Sequence, residues 1–415
     1  MKTLTVVVLL ALPSVARAQT YSLADCVRMS RTSSLEAARG GLEEKRALAA
    51  RHEAVRSRLP QLVGAGKFTR SDDDTTNLPD DNAAVLRLEQ NLTPFSPDWV
   101  RGQQRSAEAR AAAFGAAASA QDAGLAVKQL YFSILREEDS VRSLDQIETH
   151  LKSLLDTVLP KFTIGRVAAF DPVKVRVALS DLARLRDQTR AQLRGDRFAL
   201  SQALGLEGDA WVLKPLSAEP KLFDEALAPG SAMNNPTLDQ LTAQIEAARL
   251  GVKAVERTRA PDLTAYADYG YTGQAARDTN KGWTLSAAVR VPIFNWGRIT
   301  AQAAQERASA DLAGNALETE RRKIASDLVS TMAGAKAHLA DRARLNALLP
   351  DVRDAARASV ERYRRGGTGI LEVSDAVNLW LQTMVNERAA YYGYLSDLAR
   401  MERLTGGAVK IAYED

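Results

Sequence analysis

The chain repeats itself. RLPQLVGAGKF at 58–68 returns as RAPDLTAYADY at 259–269, and NLTPF at 91–95 returns as RVPIF at 290–294. FTIGRVAAFD at 162–171 returns as RYRRGGTGILE at 362–372, with Phe162 over Tyr363 and Gly165 over Gly366. QALGL at 202–206 returns near ERLTGG at 402–407. A self-similarity at a spacing of roughly 200 residues constrains the fold more than any local motif, because it argues for one architecture built from two halves. Each unit reads helix, strand, loop, strand, very long helix, glycine turn, helix.

Residues 1–18 stand outside that scheme. Lys2 is a basic n-region, Val6 to Leu12 an apolar stretch, and Ala16-Arg17-Ala18 a small-residue cleavage site. This predicts a secretory signal cut before Gln19, too short to span a membrane as a helix. Cys26 lies well past the apolar stretch, and SLAD before it is a poor lipobox, which argues against lipidation. A single cysteine makes no internal disulfide. After the signal no run approaches the roughly 18 apolar residues of a transmembrane helix. A secreted chain of this kind is either soluble or crosses a membrane as a β-barrel. Its 55 basic and 51 acidic residues are interspersed, which gives nucleic acid no basic face to bind.

Residues 22–58 carry Leu23, Cys26 and Val27 at helical spacing, and Pro60 stops the helix. The pattern then switches to period two. Ala84, Leu86 and Leu88 alternate with Val85, Arg87 and Glu89. In the second half Trp283, Leu285, Ala287, Val289 and Val291 alternate with Thr284, Ser286, Ala288 and Arg290. Strands are predicted near 62–71, 83–93, 262–273 and 283–292, joined by polar loops at 71–82 and 274–282. A half-buried strand of a soluble sandwich would alternate the same way. A lipid-facing strand with water behind it is the other reading, and the signal and the long helices favour it. From Pro97 to Pro160 the chain is alanine-rich and helical in period, which predicts a helix of about 90 Å. Its counterpart is 298–364, where Pro350 can bend it. Helices this long need coiled-coil partners, supplied by 172–204 and 371–404, which return after Gly165 and after Gly366-Gly367. Segments 206–235 and 405–415 read as irregular.

Four such strands cannot close a membrane barrel, whose smallest form has eight. Three chains supply twelve. At this point the chain resembles the TolC-like outer membrane factor family. The resemblance rests on Leu59-Pro60 before the strand, VPIFNWGR at 291–298, the Tyr363 to Gly366 spacing and the repeat itself. It implies a mixed α/β membrane protein, mostly α, with four strands per chain for a trimeric 12-stranded barrel and a long periplasmic helical barrel. The expected organisation is a signal at 1–18, a first repeat at 19–215, a connecting equatorial segment at 216–235, a second repeat at 236–407 and a tail at 408–415. The implied role is a homotrimeric, passive outer membrane channel of a tripartite efflux or type I secretion system. Its partners are a periplasmic adaptor, an inner-membrane pump and outer membrane lipid. No cofactor, metal or catalytic group is expected. His52, His150 and His338 are isolated and lack metal-ligand spacing.

The resemblance also marks the helical tip. Acidic residues there line the closed entrance, which nominates Asp171, Glu372 and Asp375 as gate residues, with Gly165, Gly366 and Gly367 as tip turns. Three symmetry-related carboxylates at one level would favour cations. The bland alternatives stay open: Asp171-Pro172 reads as a helix cap, and Glu372 suits a helix dipole. Lys174, Arg166, Arg364 and Arg365 make this tip less acidic than the resemblance implies. Trp283, Leu285, Ala287, Val289 and Val291 are the predicted lipid face. Tyr269 and Tyr271 are candidates with Trp283 for the membrane interface. The rival classes are a periplasmic adaptor, which would carry one hairpin between lipoyl-like halves, and a structural coiled-coil protein, which would lack amphipathic strands. The cargo is open between drugs, metal ions and polypeptides.

Overall fold

The computed structural model describes residues 19–69, 81–93, 96–208, 211–216, 235–273 and 279–407. The expected signal at 1–18, most of the two strand-connecting loops, residues 217–234 of the connecting segment and the tail at 408–415 lie outside the described residues.

Strand β1 (Gln19–Tyr21) leads into helices α1 (Leu23–Ser33) and α2 (Leu35–Arg56), then strands β2 (Gln61–Thr69) and β3 (Asp81–Asn91). The long helix α3 (Pro97–Thr163) and the returning α4 (Phe170–Leu204) follow, with β4 (Trp211–Leu213) after them. The second repeat runs through α5 (Pro236–Arg257), β5 (Asp262–Gly273), β6 (Thr279–Arg290), α6 (Arg298–Arg365) and α7 (Ile370–Leu404).

Local chemistry sets the helix ends. Ser22 and Asp25 form a capping box at the start of α1. The sequence reads 22–58 as one helix, but the structure divides it at Ser34. That residue is extended, and its hydroxyl accepts from the Ala37 amide at 3.1 Å, so it ends α1 and caps α2 at once. Ser96 caps α3 ahead of Pro97, and Asn235 caps α5 ahead of Pro236.

The 67 residues of α3 and the 68 of α6 each make about 100 Å of helix. Such length is stable because both helices are flanked along their course. The sheet-side part of α3 packs on α2 and α5, where Gly40 meets Ala116 and Gly115 meets Gln240. The far part packs on α4 and α7, and α6 packs on α5 and α7. Two apolar cores result. The first, where the helices pass mid-length, contains Tyr131, Phe132, Leu200, Trp211, Tyr394 and Leu395. The second lies toward the tip. On α3 it takes Leu144, Ile147, Leu151, Leu154 and Val158, which alternate spacings of three and four as a coiled-coil seam does. These cluster with Val175 of α4, Tyr363 of α6, and Val373 and Trp380 of α7.

Two strands go beyond the sequence expectations. β1 and β4 pair in parallel, Gln19 opposite Trp211 and Tyr21 opposite Leu213, and β4 falls inside a region the sequence reads as irregular. The chain therefore has six described strands rather than four. Three-residue strands are too short to show a period. Side chains hold this ribbon instead: Tyr131 donates to the Lys214 carbonyl at 2.5 Å, and the Trp211 indole donates to Ser201 at 2.9 Å.

The other four strands form one antiparallel sheet in the order β2-β3-β5-β6. The β3–β5 pairing joins the two repeats, with Arg87 opposite Asp268 and Leu86 opposite Tyr269. β2 and β6 are its open edges. Among the described residues no helix packs across the sheet.

Candidate functional site in the sheet and the helical tip

In an antiparallel sheet, directly opposed residues share a face. The registers place Leu62 with Leu88, Leu88 with Ala267, and Ala267 with Leu285 on one side. Leu86, Tyr269 and Trp283 form the next row, and Leu263 and Val289 another. Among the described residues nothing covers this face. Trp283 is 78 % exposed, Leu285 71 %, Leu62 69 % and Val289 65 %. Leaving side chains of this size in water forgoes roughly 1.5–3 kcal/mol each. Summed over the face, that rivals the whole stability of an ordinary domain, about 5–15 kcal/mol. The predicted residues Trp283, Leu285, Ala287, Val289 and Val291 all lie exposed along β6 and just past its end. At the loop end of the sheet Lys281 stands over the rings of Tyr269 and Tyr271, at 5.5 and 5.8 Å.

The opposite face is polar at its centre. Arg87 donates two hydrogen bonds to Asp268, at 2.8 and 3.0 Å, and its guanidinium lies 5.1 Å from the centre of the Tyr266 ring. At the helix end of the sheet Asp262 accepts from Asn91 at 2.7 Å and from Thr93 at 3.0 Å. These bonds tie the two repeats together where the strands leave for the helices.

Below β6 the VPIFNWGR segment turns into α6. Ile293 is 94 % exposed and Trp296 90 %, and Phe294 meets the Trp296 ring edge-on at 4.7 Å. Trp296 has a φ of 52°, a left-handed conformation that costs an L-residue about 1–2 kcal/mol. Sequence reading uses this motif as a family mark and does not single out its exposed aromatics. Three bulky apolar residues on one turn are the available signal.

At the tip Gly165 and Gly366 have φ values of 71° and 79°, the left-handed conformation that ends a helix. Their backbones close the same way: the Arg166 amide reaches the Lys161 carbonyl at 2.8 Å, and the Gly367 amide reaches the Arg362 carbonyl at 2.8 Å. Gly367 itself is not left-handed.

Asp171 is not a helix cap. Ala169 holds that position without a side-chain bond, and Asp171 lies one residue inside α4. Its carboxylate accepts from the Tyr363 hydroxyl at 2.6 Å. Tyr363 is buried, and burial first, then the bond to Asp171, holds its phenol pKa well above the usual tyrosine value. Glu372 sits in the first turn of α7 and accepts from Arg362 at 2.6 Å and from Thr368. Asp375 is exposed, one turn further along. Asp171 and Glu372 are not brought to a shared partner within the protomer. Each is held by its own residue of α6, Tyr363 for the first and Arg362 for the second.

Sequence reasoning misses Lys161. Its ammonium donates to the carbonyls of Tyr363 and Arg364, at 2.8 and 2.7 Å, and so caps α6 from the end of α3. Arg364 reaches back to Ser153 at 2.9 Å. The repeat offers a signal for Lys161, which falls in the slot of Arg362.

Residues 228–407 match the family model described as outer membrane efflux protein. The match falls on the second half of the chain. The fold as a whole is that of the TolC-like channels. It is similar to the Campylobacter jejuni CmeC outer membrane channel, with 16% identity and a TM-score of 0.85 over 95% of this chain and 87% of that one. It is similar to the outer membrane protein VceC of Vibrio cholerae, with 15% identity and a TM-score of 0.81 over 93% and 96%. It is also similar to the Neisseria gonorrhoeae MtrE outer membrane channel in its open state, with 14% identity and a TM-score of 0.79 over 95% and 91%. No curated protein matches the sequence. In this TolC-like fold the four-stranded sheet of one chain is an open piece of a barrel, and the two helical hairpins are its extension.

Proposed function

We propose that three copies of this chain form an outer membrane channel that serves a tripartite efflux or type I secretion machine. The observation that carries the reading is the uncovered apolar sheet face with two open edges. Pairing β6 of one chain with β2 of the next closes twelve strands, removes every edge and turns the apolar face to lipid. The connections between β2 and β3 and between β5 and β6 then face outside the cell, and the helices extend into the periplasm. An adaptor and an inner-membrane pump meet the helical tips and supply the energy. Conduction is passive and uses no cofactor.

In this reading Asp171, Glu372 and Asp375 are the gate residues. The Tyr363–Asp171 bond and the Lys161 cap hold the two hairpins of a protomer together, and separating them widens the entrance. Glu372 and Asp375 bring carboxylates to the mouth, where a threefold axis makes rings of them that attract cations.

Fractionation tests the reading directly. The channel is expected in outer membrane fractions as a detergent-extracted trimer that conducts ions in a planar bilayer. Recovery as a soluble periplasmic monomer would overturn it. For the gate, Glu372→Gln with Asp375→Asn is expected to weaken block by multivalent cations applied from the tip side. Unchanged block would return both residues to the role of helix-end charges.

A further inference from the structure

The polar face of the sheet has a centre. Arg87 and Asp268 are directly opposed at the middle of β3 and β5, one in each repeat. Around them the same face carries small side chains: Val85, Gly270, Thr284 and Ser286. The charged residues Lys67, Asp262 and Arg290 stand nearer the strand ends, while Glu89 is directly opposed to Tyr266, one row from Arg87. Arg87, Asp268 and the stacked Tyr266 are therefore the bulkiest groups at mid-height. The ion pair keeps contact with water, with side-chain exposures of 39% and 18%.

We propose that the Arg87–Asp268 pair is the specificity-determining element of the barrel interior, a charge-balanced girdle halfway across the outer membrane. This rests on the channel reading above. Threefold closure repeats the pair around the lumen. Fork-to-fork pairing fixes both groups in place, and the opposite charges cancel at short range. The pair itself then favours neither sign, and any standing preference at this level comes from Glu89 one row away. Removing one partner uncovers three like charges at one level, inside a wall that is apolar behind them. A pair that faced away from the conducting path would show no such sign-dependent effect.

The test is reversal potential in planar bilayers under a KCl gradient, with the full-length trimer. Arg87→Gln is expected to raise the cation-to-anion permeability ratio on the order of threefold, and Asp268→Asn to lower it by a similar factor. The double variant is expected to return to the wild-type ratio. All three differences are expected to shrink near 1 M salt, where the screening length falls to about 3 Å. Singles that leave the ratio unchanged, or move it the same way, overturn the girdle while leaving the channel reading intact. A wild-type trimer that never conducts overturns both. If a single variant does not assemble, Thr284→Cys is labelled instead with a charged thiol reagent. Cys26 is fully buried and does not compete. Thr284 is directly opposed to Asp268, so the label is expected to reduce conductance there, and the same label at Leu285→Cys is not. Equal effects at both positions overturn the proposal.

Discussion

Tyr363, in the last turn of α6, donates its hydroxyl hydrogen to Asp171 in the first turn of α4, 2.6 Å away and 192 residues apart in the chain. The bond crosses from one helical hairpin to the other at the tip. It is buried on the tyrosine side and reaches partial exposure on the aspartate side. Tyr363→Phe removes the donor without changing the packing and is expected to cost about 1 kcal/mol. The expected readout is a larger single-channel conductance, with trimer assembly unchanged. The phenol pKa is raised in the folded protein, so the stability it lends is complete below the ordinary tyrosine pKa of about 10 and is lost as pH rises beyond it. Ultraviolet titration of wild type against Tyr363→Phe measures this. A Tyr363 that ionises together with the exposed tyrosines would contradict it.

The two faces of β6 are expected to respond in opposite ways to charge. Leu285→Arg or Val289→Arg puts a guanidinium on the apolar face, which in the channel reading meets lipid at a cost of roughly 2–4 kcal/mol near mid-membrane. Thr284→Arg and Ser286→Arg put it on the polar face and are expected to be tolerated. The yield of heat-resistant trimer in outer membranes distinguishes the four.

Gly270 is a packing requirement. A Cβ there would collide with the Ala84 carbonyl oxygen and lie 2.7 Å from the Val85 Cα, both backbone atoms of β3. Gly270→Ala must push the β3–β5 seam apart. The expected result is loss of trimer yield and a lower melting temperature, measured by semi-native electrophoresis across a temperature series. Gly282→Ala on the neighbouring strand meets nothing within 4 Å and serves as the control.

Cys26 is expected to be chemically silent. It is buried in α1, and burial, with Asp25 beside it, pushes the thiol pKa up to about 12. Alkylation at about pH 8.5, the ordinary thiol pKa, is expected only after unfolding. The raised value also means that the stability Cys26 contributes is complete below that ordinary pKa and fades as pH climbs toward about 12. Mass spectrometry of folded and denatured protein after iodoacetamide treatment checks the first point.

Much of this architecture is legible in the sequence because its signals are periodic. The alternation from Trp283 to Val291 marks a two-faced strand, and the proline-free run after Pro97 marks a long helix. Gly165 and Gly366 mark the helix ends, since the left-handed conformation selects glycine. The contacts between elements were not legible. Arg87 and Asp268 lie 181 residues apart, and their pairing depends on the β3–β5 register, which no local pattern encodes. The Tyr363–Asp171 bond depends on how two hairpins meet. Ser34 shows the same limit at short range: nothing distinguishes a serine that interrupts a helix from one on its surface until the backbone turns. β1 and β4 are stabilised by Tyr131 and Trp211 rather than by a pattern in their own few residues.

The open sheet has a consequence for the life of the chain before it reaches its destination. If the chain is the outer membrane channel proposed above, a lone protomer carries an oily surface and two rows of unpaired backbone groups through an aqueous compartment before it assembles. Those edges are as ready to pair with a wrong chain as with the right one. On that reading assembly is a race, won by insertion when newly exported chains are few and lost to aggregation when they crowd. The yield is then set by how long the strands stay uncovered, and the helices, whose apolar faces are already packed, matter less.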